Sequence, residues 1–230
     1  MNRAHDFPGI LIAIEGIDGA GKTTQAHFLQ EHLQSELQPK KIAVFRTKEP
    51  TTGRWGQILR DSALTGRLSM EEEIDTFIKD RREHVEEMIN PALKEGQVVI
   101  VDRYYFSNMA YQGARGAAPE EIMARNEEFA PEPDLLIFLD IEPKVGLQRI
   151  KTRGDRANHF EKTGTLRKAR EIFLSIKKPY LLKLDALESP EALRGMILQR
   201  FHEILATREE NQAAKKAPQT EATARKAVNR

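Results

Sequence analysis

Ile10-Leu11-Ile12-Ala13-Ile14-Glu15-Gly16-Ile17-Asp18-Gly19-Ala20-Gly21-Lys22-Thr23-Thr24 is the stretch that decides the fold. Ile10–Ile14 is a continuous apolar run entered through Pro8-Gly9, the pattern of a strand covered on both faces in a parallel sheet. Gly16 to Thr23 fits G-x-x-x-x-G-K-[ST] at every fixed position. The glycines let the backbone turn tightly and aim N–H groups at phosphate oxygens. The helix that follows adds its positive N-terminal end. Lys22 supplies a cation for the β- and γ-phosphates, and the Thr23 hydroxyl is a ligand for Mg²⁺. Ala26, Leu29, Leu33 and Leu37 then recur at helical spacing. A phosphate loop held between a buried strand and an amphipathic helix reads as a nucleoside triphosphate site.

Outward from this unit the alternation continues. Ile42–Phe45, Val98–Val101, Leu135–Leu139 and Leu181–Leu187 read as further strands. Ser69 to Glu72 reads as a capping box, followed by a helical face of Ile74, Phe77, Ile78, Arg81, Val85, Met88 and Ile89. Helices are expected over Pro143–Arg153, Lys162–Lys178 and Pro190–Ala206. Alternating strands and helices predict an α/β fold, a P-loop three-layer sandwich with about five parallel strands and helices on both faces. Residues 1–206 read as one domain. From Thr207 to Arg230 large apolar residues almost vanish, which predicts a disordered or frayed C-terminal tail, with a helix docked on a partner as the alternative.

The 230 residues carry 36 Lys+Arg, 35 Asp+Glu and no cysteine. The missing cysteines exclude disulfides, thiolate metal sites and a cysteine nucleophile. A net charge of +1 argues against a nucleic-acid coat. The tail holds six basic and three acidic residues, so the small basic excess lies there and the body is slightly acidic. No apolar run reaches membrane-spanning length, and the first residues lack an apolar signal core, so a cytoplasmic protein with no membrane partner is expected.

In an open α/β sheet ligands bind beyond the carboxyl ends of the strands. There the sequence places Asp18, then Thr47-Lys48-Glu49-Pro50, then Asp102-Arg103-Tyr104, then Asp140. Asp102 has the position of a Walker-B acid that serves Mg²⁺; a helix cap is the plainer alternative. Arg81 falls on the apolar face of its helix. It is either a buried ion pair or, beside Phe77, a hydrogen-bond donor next to a stacking ring, a pair suited to a nucleobase. Arg149, Lys151, Arg153 and Arg156, interrupted by Gly154, form either a solvated face or a mobile lid over about 149–161. No N-K-x-D guanine motif is present, and a motor would need far more chain.

These residues resemble the thymidylate kinases, over roughly Ile10 to Ala206. The most specific stretch is Asp102-Arg103-Tyr104-Tyr105-Phe106-Ser107-Asn108-Met109-Ala110-Tyr111-Gln112-Gly113. The resemblance implies transfer of a phosphoryl group from MgATP to dTMP in dTTP synthesis, by a homodimer. It implies an ATP loop of Gly16, Ile17, Asp18, Gly19, Ala20, Gly21, Lys22, Thr23 and Thr24. It implies Phe77 stacked on thymine, Arg81 donating to a base carbonyl, and Asn108 or Gln112 at another base edge. Tyr111 then packs under the deoxyribose, and Asp18 stands near the sugar and acceptor phosphate. Arg103 clamps that phosphate, and Ser107 and Glu49 complete the substrate site. With no arginine between Asp18 and Lys22, the lid arginines Arg149, Arg153 and Arg156 are implied to act in catalysis with Lys22, Asp18 and Arg103. Two departures stand out. Lys48 replaces the family arginine and Thr51-Thr52 its glycines, so Arg60 or Arg103 is expected to do more of the phosphate binding. The lid is also shorter than the common bacterial form.

Overall fold

Strands made only of apolar side chains have no face to show to water, so a sheet built from them must be covered on both sides. The structure, a computed structural model, describes residues 5–152 and 163–228, with side chains through 210. Its five strands are β1 (Ile10–Glu15), β2 (Val44–Lys48), β3 (Val98–Asp102), β4 (Leu135–Asp140) and β5 (Leu181–Asp185). All pair in parallel, in the order β2-β3-β1-β4-β5. β1 is central: Ile10 pairs with Val98 on one side and Ile12 with Leu135 on the other. Every residue of β1 and β3 is buried.

The connecting helices are α1 (Lys22–Leu37), α2 (Arg54–Thr65), α3 (Met70–His84), α4 (Asn90–Lys94), α5 (Tyr105–Gly113), α6 (Pro119–Glu127), α7 (Pro143–Thr152), α8 (Thr163–Ser175) and α9 (Pro190–Val228). α1 packs on α9, and α5 packs on α3, α6 and α8. The α1 residues predicted inward, Ala26, Leu29, Leu33 and Leu37, are all buried. Ser69 caps α3 as expected, with its hydroxyl accepting from the Glu72 N–H and the Glu72 carboxylate accepting from the Ser69 N–H.

Two expectations need correction. β2 begins at Val44 rather than Ile42, and it is half-buried, because it is an edge strand paired only with β3. Lys48 is therefore the last residue of the strand, opposite Asp102. The α3 face does not continue evenly to Met88: residues Val85–Ile89 form a π turn, which changes the phase and leaves Met88 exposed while Val85 and Ile89 stay buried. Beyond residue 206 the chain continues in helix and stays packed through Arg208. Arg208 is buried, donates to the carbonyls of Phe7, Pro8 and Gly9, and pairs with Asp134. α9 runs on to Val228, consistent with the high helix propensity of its Ala, Lys, Arg, Glu and Gln residues.

Candidate active site

The loop after β1 turns through Gly16, Gly19 and Gly21 at φ 147°, 82° and 97°, values that exclude most side chains. Gly21 hands the chain into α1, so the first residue of the helix is Lys22. The Lys22 ammonium is buried and donates to the Ile17 carbonyl at 2.9 Å. Burial, then the positive charge of Arg103, pull its pKa down to about 8, against the attraction of Asp18, Asp102 and Glu15. Thr23 Oγ1 donates to Asp102 Oδ2 at 2.5 Å. The other oxygen, Asp102 Oδ1, is buried without a hydrogen-bond partner among the described residues. A hydroxyl and a carboxylate with an unsatisfied oxygen, beside a phosphate loop, fit Mg²⁺, which takes few protein ligands and fills the rest with phosphate and water.

Beyond the loop stands a charged pair. Arg103 adopts a left-handed backbone (φ 69°) directly after Asp102, which aims its side chain back at the loop. Its Nη2 pairs with Asp18 Oδ1, and its Nη1 donates to Ser107 Oγ at 3.1 Å. The Tyr111 hydroxyl donates to Asp18 Oδ2 at 3.0 Å and accepts from the Asp18 N–H at 3.1 Å. Burial alone would raise the Asp18 pKa; Arg103 and Lys22 more than offset it and hold the carboxyl below its usual range. Burial and the Asp18 charge push the Tyr111 phenol well up, so it stays a donor.

Further out, Leu59, Ala63, Phe77, Arg81, Asn108, Tyr111 and Gln112 line one cavity together with Arg103 and Asp18. Of the two sequence readings of Arg81, the structure shows the ion pair: Nε donates to Glu49 Oε2 at 2.7 Å, and Nη1 donates to Asn126 Oδ1 at 2.6 Å. The same guanidinium also lines the cavity beside Phe77, so the two readings are compatible. Glu49 additionally meets His84 Nδ1 at 3.0 Å, and His84 Nε2 meets Thr47 Oγ1 at 2.8 Å. Burial would raise the Glu49 pKa, but Arg81 and His84 bring it below the ordinary value. On the other wall Asn108 Nδ2 donates to Gln112 Oε1 at 2.8 Å, and Gln112 Nε2 donates to Glu73 Oε1 at 2.6 Å. Arg67 and Arg115 neutralise Glu73.

A second cavity holds Gly19, Gly21, Lys22, Thr23, Thr24, Lys48 and Asp102. It shares Asp18, Glu49, Pro50, Arg60 and Arg103 with the first. Lys48 is exposed there. Arg60 is tethered to the Thr51 carbonyl at 2.5 Å, and Thr51 is itself held by Asp80.

Arg149 does not join this group. Its Nη2 donates to the Ala186 carbonyl at 2.9 Å, and it lines a third cavity against Gly19, Ala20, Gly21 and Thr24. Arg153 and Arg156 lie outside the described residues. Sequence reasoning missed Glu15, Glu73, His84 and Asn126. A carboxylate ending an otherwise apolar run was the available signal for Glu15.

Residues 14–197 match the family model described as thymidylate kinase. A thymidylate kinase of Akkermansia muciniphila is 49% identical over 209 residues, 89% of this chain and 99% of the relative. One of Xylella fastidiosa is 46% identical over 200 residues, 87% of this chain and 90% of the relative. One of Xanthomonas campestris pv. campestris is 47% identical over 197 residues, 86% and 83% respectively.

Proposed function

This chain belongs to the thymidylate kinase family, and on that premise we propose that it transfers the γ-phosphoryl group of ATP to dTMP, giving ADP and dTDP for dTTP synthesis. The observation that carries the reading is the shared wall: Asp18, Arg60 and Arg103 border both the phosphate-loop chamber and the chamber lined by Phe77 and Arg81. Two phosphates facing one another across that wall are held for in-line transfer.

In this reading Lys22 and the loop amides grip the donor phosphates. Thr23 and Asp102 hold Mg²⁺, which when bound neutralises charge on the donor phosphates. Arg103, with Arg60 and Lys48, holds the acceptor phosphate, whose attacking oxygen is already ionised, so no strong base is needed. Tyr111 packs beneath the deoxyribose, Phe77 stacks on the base, and Arg81 donates to a base carbonyl. Glu49 acts behind Arg81 as its counter-ion rather than on the substrate. The Arg149 cavity takes the nucleoside end of ATP, and Arg153 and Arg156 are proposed to close over the phosphates. Catalysis is then positioning and charge neutralisation. The homodimer and the cytoplasmic location are likewise proposals, resting on the family resemblance.

A coupled ADP-release assay against dTMP, dUMP, dCMP, dGMP, dAMP and thymidine tests the assignment. We expect dTMP to be preferred. A methyl pocket contributes only about 1–3 kcal/mol, so dUMP should be a slower but real substrate. Preference for another monophosphate or for thymidine would overturn the reading. ATP binding without turnover on any of them would assign a nucleotide-binding protein instead.

A further inference from the structure

Glu15 takes no part in the mechanism above, yet it is fully buried and bonds to Tyr104 and Ser107, on either side of the helix entry that follows Arg103. It is the last residue of β1, and the next residue opens the phosphate loop. Its Oε1 accepts from the Tyr104 N–H at 2.7 Å and the Ser107 N–H at 3.0 Å. Those are the N-terminal donors of α5, whose own cap residue Tyr104 supplies no side-chain acceptor. Its Oε2 accepts from the Ser107 hydroxyl at 2.5 Å.

Arg103 sits between two anchors from the same strand. Its own N–H donates to the Ile14 carbonyl at 3.0 Å, and Glu15 fixes the next residue. A non-glycine residue at φ 69° persists only where its surroundings over-determine it. The side chain is also set from this direction. Ser107 Oγ accepts the Arg103 Nη1–H, so its single hydrogen must go elsewhere, and Glu15 Oε2 is the acceptor.

We propose that Glu15 is a positioning residue for the acceptor phosphate: by capping α5 and orienting the Ser107 hydroxyl it holds Arg103 in its clamping geometry. The proposal rests on Arg103 being the acceptor-phosphate clamp. Glutamine is a discriminating replacement. With its oxygen kept on the two backbone donors, its –NH₂ faces Ser107 Oγ and competes there with Arg103, so the cap survives while the relay to Arg103 is reversed in polarity.

The experiment is a double-mutant cycle of Glu15→Gln and Arg103→Ala, reading KM for dTMP and for ATP separately. Assayed at about pH 8, where Glu15 is a carboxylate, Glu15→Gln should raise KM for dTMP about tenfold, the loss of one charge-assisted hydrogen bond, with KM for ATP within about twofold. In the Arg103→Ala background the same change should have no further effect. Equal losses in both backgrounds, or a parallel rise in both KM values, would make Glu15 structural only and overturn the proposal. If Arg103→Ala itself leaves KM for dTMP unchanged, the clamp reading has failed instead. Should Glu15→Gln not fold, Ser107→Ala cuts the relay while keeping the carboxylate and its backbone bonds; it must raise KM for dTMP in the Arg103 background only, and an unchanged KM overturns the proposal.

Discussion

Gly19 of the phosphate loop and Gly146 of α7 meet backbone to backbone: a Cβ on Gly19 would stand 2.2 Å from the Gly146 carbonyl oxygen, and one on Gly146 would stand 2.5 Å from that of Asp18. The helix leading to the predicted lid is thus seated directly on the loop proposed to grip ATP. Gly146→Ala must push the two apart. We expect the fold to survive with a loss of about 1–3 kcal/mol, the usual cost of overpacking, and KM for ATP to rise at least tenfold while KM for dTMP moves less. Urea unfolding and initial-rate kinetics check this.

Lys22→Ala should lower turnover by at least about 10²-fold without unfolding the protein, the scale of removing one preorganised donor. Its titration gives a second readout. Lys22 binds phosphate only when protonated, and its pKa in the free protein is lowered to about 8. The profile of kcat/KM for ATP should therefore fall on the alkaline side from about pH 8. A flat profile to pH 10 would contradict it.

Removing Arg81 leaves the Glu49 carboxylate buried with His84 as its remaining ion-pair partner among the described residues. Arg81→Ala should cost about 3–5 kcal/mol, the range for breaking a buried pair from one side. The sign with pH follows from the depressed pKa of Glu49: its stabilisation is full above the ordinary carboxylate range and is lost as pH falls through the folded-state value. The variant should therefore lose less stability than the parent on acidification, as urea midpoints at pH 7 and pH 4 would show.

Glu15 behaves in the opposite sense. Burial raises its pKa from 4.5 to about 7, against the hydrogen bonds of Ser107 and Tyr104 and the pull of Arg103 and Lys22. Its contribution is full below about pH 4.5 and is lost as pH rises through about 7. Glutamine does not titrate. The Tm of the parent minus that of Glu15→Gln should shrink between those pH values, and a difference independent of pH would refute the buried-acid assignment.

The central strands and the loop were legible because their signals are local: an unbroken apolar run, glycines at fixed spacing, a lysine and a threonine. β2 was misplaced by two residues because an edge strand is covered less completely and its apolar pattern is weaker. Asp18 and Arg103 could be named through motif resemblance, but their pairing depends on β1 and β3 being neighbours, which no short stretch encodes. Glu73, His84 and Asn126 were missed for the same reason: each serves a group far away in the chain. Arg208 shows the limit of composition, since one basic residue in a polar stretch is held by three carbonyls near the start of the chain and by the Asp134 carboxylate.

The central position of β1 also bears on how the protein is made. The strand that carries the phosphate loop leaves the ribosome first, yet its two neighbours begin at Val98 and Leu135, and the arginine that ties down its entry is residue 208. A nascent chain therefore holds the apolar run Ile10–Ile14 with one edge open until β3 has emerged and the other until β4 has. ATP binding in a truncation series should switch on late and abruptly, so it can serve as a reporter of completed assembly.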